Sequence, residues 1–286
     1  MAKLISDTIT SDDLGRYLES SDFQLELDVF NSLASHGIRP SLGGTYSDPI
    51  TGKDRQYDIR AEINHGICTL KLAIECKNLK ENFPLLISRM PRLGSESYHE
   101  VILGRIGTLP ADSGGIYRAK GTFRSREPVG KSATQVGKAL QDGKRAEAQI
   151  INSDSETYEK WSQAIASAND LIARSGHSSL VGNDTVNAVV IFPLLVIPDQ
   201  TLWAADYSAD GNLVEQPRQV ESTSLFLEKT VLVRAIKYTI SHLLIFTKSA
   251  LAAYLDKLRD SSSDEWECLF PDNRIFEKYV HSGTLD

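Results

Sequence analysis

Glu75 and Lys77 stand two positions apart at the end of an apolar run, Leu-Ala-Ile-Glu-Cys-Lys over residues 72–77. Strand side chains alternate faces, so Leu72, Ile74 and Cys76 point one way and Ala73, Glu75 and Lys77 the other. Asp58 lies in a preceding run, residues 55–64, that also alternates. Tyr57, Ile59, Ala61 and Ile63 take one face there; Asp58, Arg60 and Glu62 take the other. Adjacent antiparallel strands bring Asp58 and Glu75 onto one face, within reach of a shared ion. Two hard oxygen ligands beside an ammonium suit a Mg²⁺ that keeps waters and takes a substrate phosphate. Such an ion neutralises and orients a phosphodiester and lowers the pKa of an attacking water. Lys77 would position that water or stabilise the pentavalent transition state. Glu62 would replace Glu75 as ligand under a different strand register. The plainer reading is a salt-bridged Glu-x-Lys pair on a solvated strand.

A fourth acidic residue stands out upstream. Ser21-Asp22 followed by Gln24 opens a helix in capping-box style, and Gly37 closes it. At 100° per residue, Phe23, Leu25, Leu27, Val29, Phe30, Leu33 and Ala34 fill one broad arc. Glu26 falls inside that arc. A carboxylate there is costly unless it is paired or ligates a cation.

The elements that must position these groups follow from pattern. A strand is expected over 39–46, a turn over 47–52, then the runs 55–64 and 69–77 joined at Asn64-His65-Gly66. Residues 84–90 and 99–106 read as a fourth strand and a fifth element. The middle reads as helical: Ser132-x-x-Gln135 and Ser153-x-x-Glu156 are capping-box starts, and Trp161, Ile165, Ala168 and Ile172 keep helical spacing up to a stop at Ser175-Gly176. Residues 186–197 read as a strand with Pro193 at a bulge or edge. A buried strand over 240–246 leads through a Thr247 cap into a helix over 248–259. This order describes an α/β sandwich with a central mixed β-sheet flanked by helices. With no internal repeat or long linker, one domain is expected over 1–286, its core about 20–105 and 185–260 and a basic loop with a helical insertion about 106–180.

Composition bounds the function classes. A chain of 286 residues, 41% hydrophobic and 24% charged, is that of an ordinary globular protein. The first residues carry no signal-peptide pattern, and the longest apolar stretch, 188–198, is too short and proline-interrupted to span a bilayer. Three cysteines, Cys68, Cys76 and Cys268, make neither a disulfide framework nor a zinc site. The expectation is a cytoplasmic protein with no membrane partner. His242, alone in an apolar run, reads as a core histidine.

Net charge is −7, yet residues 105–145 hold nine Lys/Arg against three acids. A local basic stripe on an acidic protein is compatible with a phosphate-backbone partner. Arg118, Lys120, Arg124, Arg126, Lys131 and Lys138 are the candidate nucleic-acid contacts, in a loop marked by Gly114-Gly115, Gly121 and Gly130 and the helix after it. A solvated basic surface is the alternative. Gly130-Lys131-Ser132 resembles the end of a phosphate-binding loop, but Ser125 stands where that motif needs glycine and no apolar strand precedes it.

The Asp58…Glu75-x-Lys77 set, with the preceding helix, resembles the PD-(D/E)xK (restriction-endonuclease-like) nuclease superfamily over roughly residues 22–80. The Phe23-x-x-Glu26 helix with Gly37-Ile38 near its end is similar to the Mrr and Holliday-resolvase arrangement. The resemblance implies a restriction-endonuclease-like sandwich and a Mg²⁺-dependent endodeoxyribonuclease of restriction, defence or repair type, with Mn²⁺ substituting. It implies Asp58 and Glu75 as metal ligands, Lys77 as catalytic lysine, Glu26 as an auxiliary acid contacting the metal through water, and the Cys76 main-chain carbonyl as a further ligand. Tyr57 departs from the motif, which has proline there. DNA is the expected partner, with RNA and a homodimer left open. The rival readings are a non-catalytic nucleic-acid-binding module of the same fold and an interaction protein with a solvated charged strand.

Overall fold

The computed structural model describes residues 8–19, 21–48, 51–106, 116–122, 127–141, 144–153, 155–175, 185–233, 236–260 and 263–270. Two helices come first, α1 (Ser11–Glu19) and α2 (Asp22–Ser35), then a meander of β1 (Ser41–Ser47), β2 (Asp54–His65) and β3 (Cys68–Cys76). Strands β4 (Leu85–Met90), β5 (Tyr98–Ile106), β6 (Ile116–Thr122), β7 (Val129–Gln141) and β8 (Lys144–Ser153) follow. Helix α3 (Ser155–Ser175) leads to β9 (Thr185–Ile197), β10 (Leu202–Asp206), β11 (Arg218–Gln219), β12 (Ser222–Val233) and β13 (Ile236–Thr247). Helices α4 (Lys248–Arg259) and α5 (Asp264–Leu269) close the described chain.

The strands form one mixed sheet in the order β1-β2-β3-β9-β13-β12-β7-β4-β10-β11, with β5 on β9, β6 on β5 and β8 on β7. The fold is α/β: a large mixed sheet with few helices. β1, β2 and β3 pair antiparallel, and β3 runs parallel to β9. β3 is buried along nearly its whole length, as expected of a strand with partners on both edges and layers on both faces.

Alternation along β3 decides what lies on each face. Leu72, Ile74 and Cys76 pack with Leu25, Val29 and Leu33 of α2 and with Leu251 and Leu255 of α4. Ala73 packs instead with Ala168 and Ile172 of α3. Glu75 shares the face of Ala73, so α2 and α3 cover opposite sides of the strand that carries it. On α2 the buried stripe is Leu25, Val29 and Leu33, while Phe23 is exposed. The apolar arc is narrower than the wheel implies.

The meander, β4, β5, β9, β13, α3 and α4 lie where the sequence pattern puts them, and the Thr247 hydroxyl accepts the Ala250 N–H at 3.3 Å as an N-cap. The segment after Gly130 is different. The Ser132-x-x-Gln135 signal predicts a helix, but residues 129–141 form β7, with Ser132 opposite Ser88 and Gln135 opposite Leu85 of β4. Pairing overrides the local cap, and glycine makes the pairing possible. A Cβ on Gly130 would sit 2.7 Å from Ile87 Cγ2 and 3.0 Å from the Ser224 carbonyl oxygen. Lys131 and Ser132 are therefore strand residues, and the expected helical insertion is three strands followed by α3. Gly176, part of the expected stop of α3, lies outside the described residues.

Pro193 also departs from expectation. β9 is central, not an edge, and Ala73 pairs with Pro193 in the ladder to β3. On the other edge β9 pairs with β5 up to Val190 and with β13 from Leu194. The missing proline N–H falls in the gap where one partner replaces the other, so no ladder bond is lost. Among the described residues no helix is long and apolar enough to cross a membrane.

Candidate metal and phosphodiester site

The β2–β3 ladder runs from His65↔Cys68 to Ile59↔Ile74 and stops there. One residue further, the Asp58 carboxylate takes over from the backbone: its Oδ2 accepts the Cys76 N–H at 2.8 Å. The β1–β2 register passes from Leu42↔Ile59 to Gly44↔Tyr57 without pairing at Asp58, and Gly43 adopts φ +58° across from it. That backbone region suits glycine. Asp58 thus sits where β2 parts from β3, its side chain turned toward β3.

The Lys77 N–H is given to the Val196 carbonyl on the β9 side at 3.0 Å. N–H and C=O of one strand residue point the same way, and neighbours alternate. Cys76 therefore presents both its main-chain groups to the β2 side, toward Asp58. Glu75, next to it, is fully buried. A solvated Glu-x-Lys surface is not what this strand carries.

Lys77 is the first residue past β3. Its Nζ is 3.6 Å from Asp22 Oδ2 at the start of α2. Asp22 Oδ1 accepts the Asn78 N–H at 2.7 Å, and Asn78 Nδ2 donates to the Ser21 carbonyl at 3.0 Å. The start of α2 is in this way stitched to the end of β3. Glu26 is half-buried one helical turn beyond Asp22, on the same side of α2 by the i, i+4 rule. Glu26 therefore belongs to the side of α2 that carries Asp22 at the end of β3.

On the Glu75 side two groups join that the motif does not contain. Arg60, opposite Ala73, donates to Ser167 Oγ at 3.1 Å and to Asp170 Oδ2 at 2.8 Å on α3. Its guanidinium also lies 4.8 Å from the ring centroid of Tyr46 and 4.2 Å from that of Tyr57. Tyr46 is buried, and burial together with the negative charge of Glu75 pushes its phenol up to about 12. Arg60 was visible in sequence as a member of the Asp58 face, whereas Tyr46 carried no signal beyond ending a strand.

Hard oxygen donors fit a hard cation. The candidates are the Asp58 and Glu75 carboxylates and the Cys76 carbonyl, all at the end of the β2–β3 ladder. Among the described residues no group of three or more His, Cys, Asp or Glu is arranged to hold a metal ion. A cation here would rest on two carboxylates, a carbonyl and its own waters, the coordination habit of Mg²⁺ rather than of a dedicated protein cage.

The basic segment divides. Arg124 and Arg126 lie outside the described residues, as do Gly114 and Gly115; Arg118 is described only as backbone in β6. Lys120 and Lys138 are exposed, and Lys120 lies 4.2 Å from the ring centroid of Tyr98. Lys131 is paired with the Glu96 carboxylate, so its charge is already engaged.

A second polar centre has no counterpart in the sequence motifs. Arg92 donates to His242 Nε2 at 2.7 Å and to Ser224 Oγ at 2.9 Å, beside a groove of about 840 Å³ that Phe192, Phe246 and Tyr254 also line. His242 is the satisfied core histidine expected. Burial, then the nearby Arg92 charge, depress its pKa to about 3.

Neither a family model, nor a curated protein, nor a solved structure matches this chain.

Proposed function

We propose that this chain is a divalent-metal-dependent nuclease hydrolysing phosphodiester bonds of DNA at the corner formed by Asp58, Glu75 and Lys77. The observation behind this reading is the 2.8 Å bond from the Cys76 N–H to Asp58 Oδ2, which anchors one carboxylate to the main chain of the residue that follows the fully buried Glu75. Glu75 adds a second hard oxygen donor at the same end of β3. The resemblance of Asp58…Glu75-x-Lys77 to the PD-(D/E)xK nucleases agrees with it. A bound Mg²⁺ or Mn²⁺ would supply charge neutralisation at the phosphate and a more acidic water.

The chain's own residues do the rest. Asp58 and Glu75 hold the cation, and the Cys76 N–H fixes the rotamer of Asp58. Lys77, tethered by Asp22, supplies positive charge at the end of β3, where a phosphate can approach. Lys120 and Lys138 offer exposed charge to the backbone of a polyanion.

A non-catalytic nucleic-acid-binding module is the second reading, favoured by the complete burial of Glu75 and the engagement of Lys77 by Asp22. One assay separates the two. Supercoiled plasmid, linear duplex and single-stranded RNA are incubated with the protein in Mg²⁺, Mn²⁺ or EDTA. Metal-dependent, EDTA-sensitive scission of DNA is expected. Binding without scission under every cation would establish the module, and scission of RNA alone would reassign the substrate.

A further inference from the structure

Tyr46 is only 3% exposed, and its hydroxyl has no hydrogen-bond partner among the described residues. A buried hydroxyl left so is costly, and such exceptions ask for an explanation. Its ring is firmly placed. The Arg60 guanidinium lies over it, tied to Ser167 and Asp170 of α3, and the Tyr57 ring is 6.5 Å away. Glu75 is near enough for its charge to act on the phenol. Arg60 lies opposite Ala73, two residues before Glu75 on β3, so the ring it covers and the buried carboxylate belong to one neighbourhood, a setting for a water with protons and lone pairs to share.

We propose that Tyr46 is a positioning residue of the metal site, its hydroxyl donating a hydrogen bond to a water in the hydration shell of the cation held by Asp58 and Glu75. This inference rests on the metal reading above. Tyr46 is no ligand itself: the neutral phenol orients a water, and the Arg60 clamp keeps the ring from swinging away. Phenylalanine would preserve the ring, its packing and its contact with Arg60 while deleting only the donor.

The test uses the full chain and MnCl₂ alone in phosphate-free buffer, so that only water can occupy the position. Calorimetry and thermal unfolding are read on wild type, Tyr46→Phe, Tyr57→Phe and Glu75→Gln. Tyr46→Phe should bind Mn²⁺ about 5–10-fold more weakly, the equivalent of one lost hydrogen bond. Its metal-free melting temperature should stay level or rise by about 2–4 °C, because an unpartnered hydroxyl has been removed. Tyr57→Phe should stay within about twofold of wild type, since its hydroxyl is given no part in this site. An unchanged Mn²⁺ affinity in Tyr46→Phe, with binding lost in Glu75→Gln, overturns this inference and leaves the metal site standing. A metal-free fall in melting temperature in Tyr46→Phe also overturns it, by showing the hydroxyl bonded within the protein. No Mn²⁺ binding by wild type removes both.

Discussion

Asp22 and Lys77 meet at 3.6 Å, joining the first turn of α2 to the end of β3. Asp22 also caps the chain direction by accepting the Asn78 N–H, so the pair fixes where the lysine amine can stand.

Both partners are partly exposed, at 29% and 22%, and such a pair contributes under about 1 kcal/mol. Asp22→Asn keeps an oxygen for the Asn78 N–H and should shift the melting temperature by less than about 2–4 °C. Lys77→Met, by contrast, should fold normally and lose cleavage by about a hundredfold or more, the scale of removing a group that stabilises developing charge. Undiminished cleavage by Lys77→Met would remove the lysine from the mechanism.

Glu75 gives the sharpest separation of stability from function. Glu75 is fully buried, and glutamine of the same shape removes its charge without leaving a cavity. Glu75→Gln should keep a single cooperative unfolding transition in urea and be inactive on plasmid DNA. A folded Glu75→Gln protein that still cuts would remove the carboxylate from the site.

His242 sets a pH dependence away from the site. Its pKa is lowered to about 3 by burial and by Arg92, while in the unfolded chain it titrates near 6.5. The unfolded state therefore binds the extra proton first as pH falls. Stability from the neutral ring is complete above about 6.5 and is lost progressively from there toward 3. By pH 5 the loss from His242 is about 2 kcal/mol, and buried His99, shifted the same way, adds to it. His242→Gln keeps an acceptor for Arg92 and should flatten the stability profile between pH 7 and 5. A parallel profile would show that another group dominates there.

The meander was legible because β2 and β3 alternate strictly, and α3 and α4 because their apolar residues keep helical spacing. β7 was not. Its helix-start signal at Ser132 is local, whereas the strand depends on β4 lying against Gly130 and Ser132, a contact no window of the sequence contains. Asp58 and Glu75 were readable as face-mates, but the early end of the ladder at Ile59, which turns Asp58 toward the Cys76 N–H, is a tertiary event. Alternation puts Lys77 on the face of Glu75, but its 3.6 Å pairing with Asp22 at the start of α2 is a contact between distant parts of the chain that no pattern contains. Tyr46 needed three dimensions altogether, since its neighbours Arg60 and Glu75 come from two other strands.

The basic segment makes a graded prediction about DNA. Lys120 and Lys138 are exposed, while Lys131 is engaged by Glu96. Each phosphate contact adds about 0.9 to the slope of log affinity against log salt. Lys120→Ala with Lys138→Ala should flatten that slope by about two, and Lys131→Ala should change it by less than one contact. Equal effects from Lys131→Ala would mean that DNA displaces Glu96 from it.

If Asp58 and Glu75 hold a divalent cation, its position can be mapped on the chain. The protein is loaded with Fe²⁺, exposed briefly to ascorbate and peroxide, and its backbone scission sites are mapped by mass spectrometry. Hydroxyl radicals cut near the bound metal, so cuts should cluster around residues 58 and 74–77, be suppressed by excess Mg²⁺ and be absent in the Asp58→Asn/Glu75→Gln double variant. Diffuse cutting, or a cluster elsewhere that survives the double substitution, would contradict a cation held by Asp58 and Glu75.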